Sequence, residues 1–187
     1  MAQAEPEGRF GQRRHFATPA WTDLVEVHWA ADAEAYVTPV GDQCVGVAIL
    51  SGRGADFATR LDDFPALKER LGGAEHGETL GAGPLRQSVA QRTSGRIALV
   101  GDAAGYVDAL TGEGVNVGLA QAEILADCLA NDDLSPYEWR WQEATRTYRR
   151  LTLALIRARN NRVLGPRIVP AAQRFPQLFR RAVQHLA

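Results

Sequence analysis

The most constraining feature of the sequence is the stretch 96–122, which reads RIALVGDAAGYVDALTGEGVNVGLAQA. Residues 97–101, IALVG, are apolar without alternation, a pattern typical of a strand buried on both faces of a parallel sheet. A parallel strand needs parallel neighbours, and we find no earlier strand–helix–strand unit to supply them. Residues 114–130 have helical spacing, and their apolar stripe consists of Val115, Leu119, Ala122, Leu125, Ala126 and Leu129.

The glycines of this stretch do not form the simple dinucleotide-binding fingerprint. That fingerprint places G-x-G-x-x-G directly after a strand, with an acid about 20 residues further on. Here ten residues separate Gly101 from Gly112, and the run 112–118 reads G-x-G-x-x-x-G. The stretch GAGPLR at 81–86 lacks the last glycine. We therefore expect the N-terminal GxGxxG unit to be absent.

The residue types nevertheless favour a ligand with a polyol and a ring that tolerates negative charge. Asp102 follows the predicted strand, at the edge where open α/β sheets bind ligands, and its carboxylate can accept hydrogen bonds from hydroxyl groups. Gly112 and Gly114 leave the start of the helix bare. The free N–H groups and positive dipole end of a helix start stabilise a negative charge. Together these features indicate a flavin.

The segment GDAAGYVDALTGEGVNVGLAQAEILAD at 101–127 resembles the C-terminal flavin motif of the para-hydroxybenzoate-hydroxylase-like FAD-dependent oxidoreductases. This superfamily includes aromatic-ring monooxygenases, geranylgeranyl reductases and flavin-dependent halogenases. The residues 34–50 also resemble a geranylgeranyl-reductase strand, and the likeness extends from 25 to 129. Two positions depart from the motif: Ala109 replaces the usual loop proline, and Gln121 replaces the usual acid at a position expected to be peripheral.

The resemblance implies FAD as cofactor and NAD(P)H as electron donor. Asp102 would bind the ribityl chain, and the helix start would face the pyrimidine end of the isoalloxazine and favour the anionic reduced flavin. The residues implied to bind the cofactor are Gly101, Asp102, Ala103, Gly112, Gly114, Val115 and Asn116. The residues expected to line the substrate cavity, with simple sheet packing as the alternative, are Tyr36, Thr38 and Pro39. No side chain is expected to act as a catalytic acid or base, and no metal site is expected.

By the same resemblance, the expected function is that of an FAD-dependent oxidoreductase, either a monooxygenase or geranylgeranyl-reductase-like. The flavin would be reduced by NAD(P)H and would then oxygenate or reduce an apolar, aromatic or unsaturated small molecule. Because the ADP-binding half is expected to be absent, we interpret the chain as a C-terminal part, and whether it is an enzyme alone stays open. The alternative is a truncated, non-catalytic remnant, or half of a split flavoprotein whose partner chain supplies the N-terminal FAD-binding half.

Sequence patterns predict a mixed α/β fold, part of a two-domain FAD-oxidoreductase architecture. Residues 1–95 would form part of a substrate-binding domain, 96–133 the FAD-binding segment, and 134–187 basic C-terminal helices. In the first region we predict an antiparallel meander formed by 25–29, 34–40 and 43–50. Two short helices are predicted at 56–73, and a returning strand is predicted at 78–93. Residues 1–16 have no apolar run, and we expect them to be a polar lead into the fold and not a signal peptide.

The last region predicts one long helix and one short helix. Ser135 is expected to cap the long helix, with Pro136 at its first position. We expect this helix to reach Leu164 and to stop at the Gly165–Pro166 pair, and a short helix is expected at 174–186.

The charge of the chain is unevenly distributed, although its net value is only −1. Residues from Arg140 to the end contain eleven arginines and one acid, Glu143. The aromatic residues at the start of this basic region, Tyr137, Trp139, Trp141 and Tyr148, indicate either a membrane-surface helix or a helix that packs on the fold while its arginines stay in water. We favour packing, and peripheral membrane contact is the alternative.

Several partner classes are not supported by the composition. The small net charge argues against nucleic-acid binding, and no run of 18 apolar residues predicts a transmembrane helix. Cys44 and Cys128 form no CxxC pair and fit a cytoplasmic location. Arg86 and Arg92, just before the predicted flavin strand, either line the active site or are ordinary solvated arginines, and we favour the second.

Overall fold

The computed structural model describes residues 3–4 and 8–177. Within them the chain is a mixed α/β protein with an antiparallel sheet, as the sequence predicts, and it contains five α-helices. The strands are β1 (Gln3–Ala4), β2 (Phe10–Phe16), β3 (Glu26–Trp29), β4 (Ala33–Gly41), β5 (Cys44–Ser51), β6 (Leu80–Ala82), β7 (Gln87–Ser88), β8 (Thr93–Ser94) and β9 (Ile97–Ala98). The helices are α1 (Phe57–Leu61), α2 (Pro65–Leu71), α3 (Gly114–Ala130), α4 (Tyr137–Asn160) and α5 (Gly165–Arg174).

The chain divides into two compact units. The sheet unit spans Glu5–Leu85, and the helical unit consists of Met1–Ala4 together with Arg86–Ala187. The boundary at 85 lies before the one expected at 95, and the residues after 133 belong to the same unit as the predicted FAD-binding segment.

The sheet unit contains a five-stranded antiparallel sheet in the order β3-β4-β5-β2-β6. The predicted meander is confirmed as β3, β4 and β5. Part of the expected polar lead is itself a strand, because β2 lies between β5 and β6. Its inner positions include Gln12, which donates to Ala55 O at 2.7 Å, and Arg14, whose guanidinium stacks over the Phe57 ring at 4.8 Å. Because these inner positions hold polar side chains, the sequence of β2 lacks the alternation of apolar and polar residues expected of a strand.

One face of this sheet packs against α1 and α2. Pro65 begins α2, and Gly72 ends it in the left-handed conformation with φ 59°, as the sequence predicts. Alternation along each strand brings every second apolar side chain to the helix side. The buried core formed there consists of Phe16, Ala33, Ala35, Val37, Val45, Val47, Ile49, Phe57, Phe64, Leu67 and Leu71.

The predicted buried strand at 97–101 is much shorter in the structure. Only Ile97–Ala98 pair, antiparallel with Thr93–Ser94, and Ile97 is 67% exposed. The prediction of a strand buried on both faces was therefore wrong for the described residues, which contain no strand parallel to β9. The returning strand predicted at 78–93 is also divided, because β6 pairs with β2 while β7 pairs with β1.

Helix α4 packs through a stripe of residues at helical spacing. Tyr137, Trp141 and Tyr148 are buried, whereas Trp139 is exposed. The Tyr137 hydroxyl donates to Leu99 O at 2.8 Å and joins the start of α4 to the residues after β9. Packing of the aromatic residues is thus confirmed for three of the four.

The boundaries of the C-terminal helices differ from the prediction. Helix α4 ends at Asn160, and the Gly165–Pro166 pair begins α5 instead of ending α4, because proline at a first helical position costs no hydrogen bond. The first residue of α4 follows Pro136, and Ser135 does not cap it, since its hydroxyl donates to Asp133. Most of the helix predicted at 174–186 lies outside the described residues.

Helix α5 contributes no buried residue. Its neighbourhood exposes Val163, Leu164, Val169 and Phe175. No α-helix in the described part of the chain combines the length and the apolar character needed to cross a lipid bilayer.

We predict that Phe57→Ala destabilises the sheet unit by about 3–5 kcal/mol, because it leaves a cavity between α1 and the sheet. Phe57 is fully buried and its ring centroid lies 6.1 Å from that of Phe16. Urea unfolding followed by circular dichroism measures the change. The control Leu24→Ala, at an exposed position, should change stability by less than about 0.5 kcal/mol. Equal effects of the two variants would contradict this packing.

Candidate functional site

The predicted cofactor loop begins with a tight turn immediately after β9. Residues Gly101–Ala104 form a 3-10 turn, and Gly101 has φ 63°, which favours glycine. A Cβ added to Gly101 would meet no atom within 4 Å. Asp102 and Ala103 are exposed, and the Asp102 carboxylate has no hydrogen-bond or ion-pair partner among the described residues. The turn therefore presents a free carboxylate beside an open backbone.

A buried glutamine holds this turn against α3. The backbone N–H of Gly101 donates to Gln121 Oε1 at 2.8 Å, and Gln121 is only 1% exposed. One helical turn earlier, a Cβ on Gly118 would lie 3.7 Å from the Gly101 Cα, so a small residue lets the helix approach. The prediction that position 121 is peripheral was wrong. Sequence reasoning missed this role because it compared side-chain charge, whereas the position supplies a hydrogen-bond acceptor.

The middle of the loop is held by Asp108. Asp108 is buried, its Oδ1 accepts from Leu110 N at 2.9 Å, and its carbonyl accepts from the Tyr148 hydroxyl at 3.4 Å. Residues Ala109–Thr111 form a second 3-10 turn, which ends at Gly112 with φ 73°. A Cβ on Gly112 would also meet no atom within 4 Å. The loop is thus anchored in the middle and open at both glycines.

The start of α3 has unsatisfied backbone donors. The first residue with a partner outside the helix is Val117, whose N–H donates to Glu113 O at 3.0 Å, and the N–H groups of Gly114, Val115 and Asn116 have no acceptor among the described residues. Asn116 is engaged through its side chain, which donates to Glu113 Oε2 at 2.9 Å. Three free N–H groups with the positive end of a 17-residue helix can bind a negatively charged atom.

The surface of α3 differs from the expected pattern. Val115 is 75% exposed, and Leu119 and Leu129 are 60% exposed each, while the buried positions are Gln121 and Cys128. The helix therefore packs through a mixed face and leaves most of its predicted apolar stripe uncovered in the described structure. Leu125 is the member of that stripe that contacts the core around Tyr137 and Trp141.

All seven predicted cofactor residues lie on this loop and helix start. A Cβ added to Gly118 would lie 3.7 Å from the Gly101 Cα, and one added to Gly114 would lie 3.8 Å from the Tyr106 ring, so both ends of the loop lie close to α3. Burial raises the pKa of Tyr106, and the nearby Tyr148, Asp102 and Asp108 raise it further, so this tyrosine stays neutral.

The predicted substrate-lining residues lie on β4 of the sheet unit and do not share one face. Alternation places Tyr36 and Thr38 on the face opposite to that of the core residues Ala35 and Val37. Pro39, paired with Val45, lies on the core side. The structure therefore separates Pro39 from Tyr36 and Thr38.

Arg92 is buried, and its prediction as an ordinary solvated arginine was wrong. Its exposed fraction is 7%, its guanidinium carbon lies 3.5 Å from the centroid of the Trp141 ring, and its Nη1 donates to Glu138 Oε1 at 2.5 Å. The backbone N–H of Arg92 donates to the other oxygen of Glu138 at 3.2 Å. These bonds attach the residues before β8 to α4. The sequence around Arg92 contains no pattern that predicts a partner 46 residues away.

The residues of the loop and helix start fit a flavin. Two glycines with positive φ leave space where a side chain would stand, a carboxylate without a partner is available to hydroxyl groups, and helix N–H groups are available to a ring that gains negative charge. No side chain of this chain is needed to fill the space between them.

Comparison with known proteins agrees with this fit at the level of fold. No family model matches the sequence. Over 122 residues the chain is 34% identical to a digeranylgeranylglycerophospholipid reductase of Methanococcus vannielii, an alignment covering 58% of this chain and 31% of the relative. The chain thus spans less than a third of that curated relative.

Solved flavoenzymes share the fold. The flavin-dependent brominase Bmp2 matches 95% of this chain with a TM-score of 0.73 and 16% identity, over 50% of its own length. A geranylgeranyl bacteriochlorophyll reductase-like protein from Thermoplasma acidophilum matches 81% with a TM-score of 0.61 and 17% identity, over 43% of its length. The mixed α/β fold of this chain is therefore similar to part of the FAD-dependent oxidoreductase fold.

We predict that Gln121→Leu lowers the free energy of unfolding by about 1–3 kcal/mol, because it leaves the Gly101 N–H buried without an acceptor. Hydrogen exchange at residues 101–105 should accelerate along with the loss of stability. The exposed Gln173→Leu on α5 serves as the control and should leave both unchanged. If exchange at the turn is the same in wild type and Gln121→Leu, the glutamine does not hold the loop.

A second prediction concerns acid stability. Burial opposes ionisation of Glu138, but hydrogen bonds from Gln142 and Arg92 and the charge of Arg92 outweigh it and lower its pKa. The ion pair of Glu138 with Arg92 therefore contributes its full stabilisation above the unfolded-state pKa of Glu138, near 4.5. This stabilisation is lost as the pH falls through the folded-state pKa. Glu138→Gln should cost about 1–3 kcal/mol at neutral pH.

Thermal unfolding across pH checks this prediction. The difference between wild type and Glu138→Gln should shrink as the pH falls below the usual range of a glutamate, because both proteins then lack the charge. A difference that persists unchanged in strong acid would show that the ion pair is not its source.

Proposed function

We propose that this chain provides the flavin-proximal part of an FAD-dependent oxidoreductase of the monooxygenase or geranylgeranyl-reductase type. The single observation that carries the proposal is the open cradle between the Gly101 turn and the start of α3, with an unpaired Asp102 carboxylate at one end and free helix N–H groups at the other. The identity to a reductase of a geranylgeranyl phospholipid supports the same assignment.

The cofactor-binding residues have distinct roles in this proposal. The Asp102 carboxylate accepts hydrogen bonds from the ribityl hydroxyl groups, and Gly101 and Ala103 keep the turn free of bulk. Gly112 leaves room beside the ring, and the N–H groups of Gly114, Val115 and Asn116 stabilise negative charge on it. An anion at a partly buried helix start gains up to about 2 kcal/mol.

FAD, when bound, supplies redox chemistry that amino-acid side chains lack. The chain contributes position and electrostatics, since none of its side chains at the loop is placed as an acid or base. NAD(P)H is the proposed electron donor, and the substrate is an apolar, unsaturated small molecule. Tyr36 and Thr38, on the face of β4 opposite to the core residues, are the proposed substrate-facing residues, and Pro39 is left out of this proposal because it lies on the core side.

The alternative of a split or remnant flavoprotein is favoured by one further observation. Ile97 at the edge of β9, together with Val115 and Leu119 at the start of α3, exposes apolar surface around the loop. In this alternative, another protein segment that carries the ADP-binding half would cover that surface, and the chain alone would be inactive.

Flavin titration tests the proposal. Fluorescence anisotropy of FAD, measured with increasing concentrations of the purified chain, should rise to a plateau. Asp102→Ala should weaken binding about tenfold, since it removes a hydrogen-bond acceptor worth about 1.4 kcal/mol. Glu123→Ala, which removes an exposed carboxylate from α3, is the matched control and should bind like wild type.

Two outcomes would contradict the assignment. One is the absence of any anisotropy change with FAD and with riboflavin, which presents the ring and ribityl chain alone. The other is equal weakening by Asp102→Ala and Glu123→Ala, which would indicate a general charge effect.

A further inference from the structure

A second constellation of charged residues lies in the helical unit and has no role in the function proposed above. Arg92 and Arg149 stack on the same indole ring: their guanidinium carbons lie 3.5 Å and 5.3 Å from the centroid of Trp141. Guanidinium groups favour aromatic faces, but two of them on one ring repel each other. Such a pair is stable where an anion neutralises it.

The donors of the two arginines converge over a glycine. A Cβ added to Gly105 would lie 3.7 Å from Arg149 Nη1 and 3.7 Å from Arg92 Nη2. Gly105 has φ 124°, a conformation that side chains rarely adopt. The same Cβ would lie 3.8 Å from Gln87 O, so two donors and one carbonyl oxygen surround this position. Gly105 itself places no side chain between the two nitrogens.

The carboxylates near this point do not satisfy both arginines. Glu138 binds Nη1 of Arg92 and its backbone, and it does not contact Arg149. Arg149 has no ion pair among the described residues, and burial together with the charges of Arg92 and Arg86 lowers its pKa. Arg149 therefore lies beside two other arginines without an ion-pair partner of its own among the described residues.

Arg92 also contains a donor that the protein leaves unused. Its side chain is 8% exposed, and its Nε is buried without a hydrogen-bond partner. A buried donor without an acceptor costs about 1–3 kcal/mol. An oxyanion over Gly105 would add negative charge next to this guanidinium.

We propose that Arg92 and Arg149 form a binding site over Gly105 for a phosphate or diphosphate group. Arginine binds phosphate oxygens through paired N–H donors, and two guanidinium groups match a group with more than one negative charge better than they match a single carboxylate. The neighbouring amide of Tyr106 is already bonded to Gln87 O at 3.0 Å, so the arginines are the donors of this site.

The site is on the same loop as the proposed flavin residues, three positions after Asp102. It does not rest on flavin binding, because its donors are separate from the Asp102 turn and from the start of α3. Two kinds of molecule carry the required group: a dinucleotide with its diphosphate, and an apolar substrate with a phosphorylated head.

Binding of inorganic pyrophosphate to the full chain, measured by calorimetry at low salt without flavin, tests the proposal. The wild type should bind pyrophosphate at least about fivefold more tightly than it binds acetate, and added salt should weaken the binding of pyrophosphate. Arg149→Gln should weaken pyrophosphate binding about fivefold or more. Arg150→Gln, an exposed neighbour on the same helix, should stay within about twofold of wild type.

Three results would overturn the proposal: no pyrophosphate binding by the wild type, acetate binding as tightly as pyrophosphate, or equal weakening by Arg149→Gln and Arg150→Gln. The melting temperature of each variant shows that it is folded. If Arg149→Gln is unstable, Arg149→Lys, which keeps the charge and loses the paired donors, replaces it and should still weaken binding.

Further titrations identify the source of the phosphate. If Arg149→Gln weakens FAD binding and leaves riboflavin binding unchanged, the site holds the diphosphate of the dinucleotide. If it weakens binding of a prenyl diphosphate and leaves FAD binding unchanged, the site holds the head group of the substrate. Failure of flavin binding with intact pyrophosphate binding would contradict the proposed function and leave this site standing.

Discussion

The hydrogen bond from the Gly101 N–H to Gln121 is the contact on which the candidate site depends. It is buried, and it joins the turn after β9 to the middle of α3. Because Gly118 allows the helix to approach the Gly101 backbone, the turn and the start of the helix face the same space. Without this attachment, the Asp102 carboxylate and the free N–H groups of α3 would have no fixed relation to each other.

Helix α4 supports the same loop from another direction. Its buried side includes Trp141 and Tyr148, which contact Arg92 and the carbonyl of Asp108 respectively. The arginines of this helix are therefore not all on its exposed side. Arg149 lies on the packed side, where burial lowers its pKa, and Arg150 next to it faces water.

Much of the fold could be predicted from sequence because it rests on local signals. Alternation identified β3, and the hairpin before β4 and the β-branched run of β5 identified the next two strands. Pro65 and Gly72 marked the ends of α2. The predictions failed where partners distant in sequence decide the outcome. Residues 10–16 form a strand although Gln12 and Arg14 break its apolar pattern, since those side chains are bonded to other parts of the sheet unit.

For the candidate site too, local signals were predictable and contacts between distant residues were not. The glycines and small residues at 101–118 were selected because the segment resembles a known flavin motif. The roles of Gln121 and Arg92 were not, because a buried amide acceptor and an arginine stacked on a tryptophan leave no pattern in neighbouring residues. The strand at 97–101 was expected to be longer because apolar composition reports the preference for burial, whereas the length of a strand depends on the neighbours that pair with it.

The exposed apolar stripe of α3 has a bearing on the colloidal behaviour of the chain. Val115, Leu119 and Leu129 are exposed on a helix whose buried residues are Gln121 and Cys128. With a net charge of only −1, electrostatic repulsion between molecules is weak. The isolated chain should therefore self-associate in concentrated solution unless another protein segment covers this stripe.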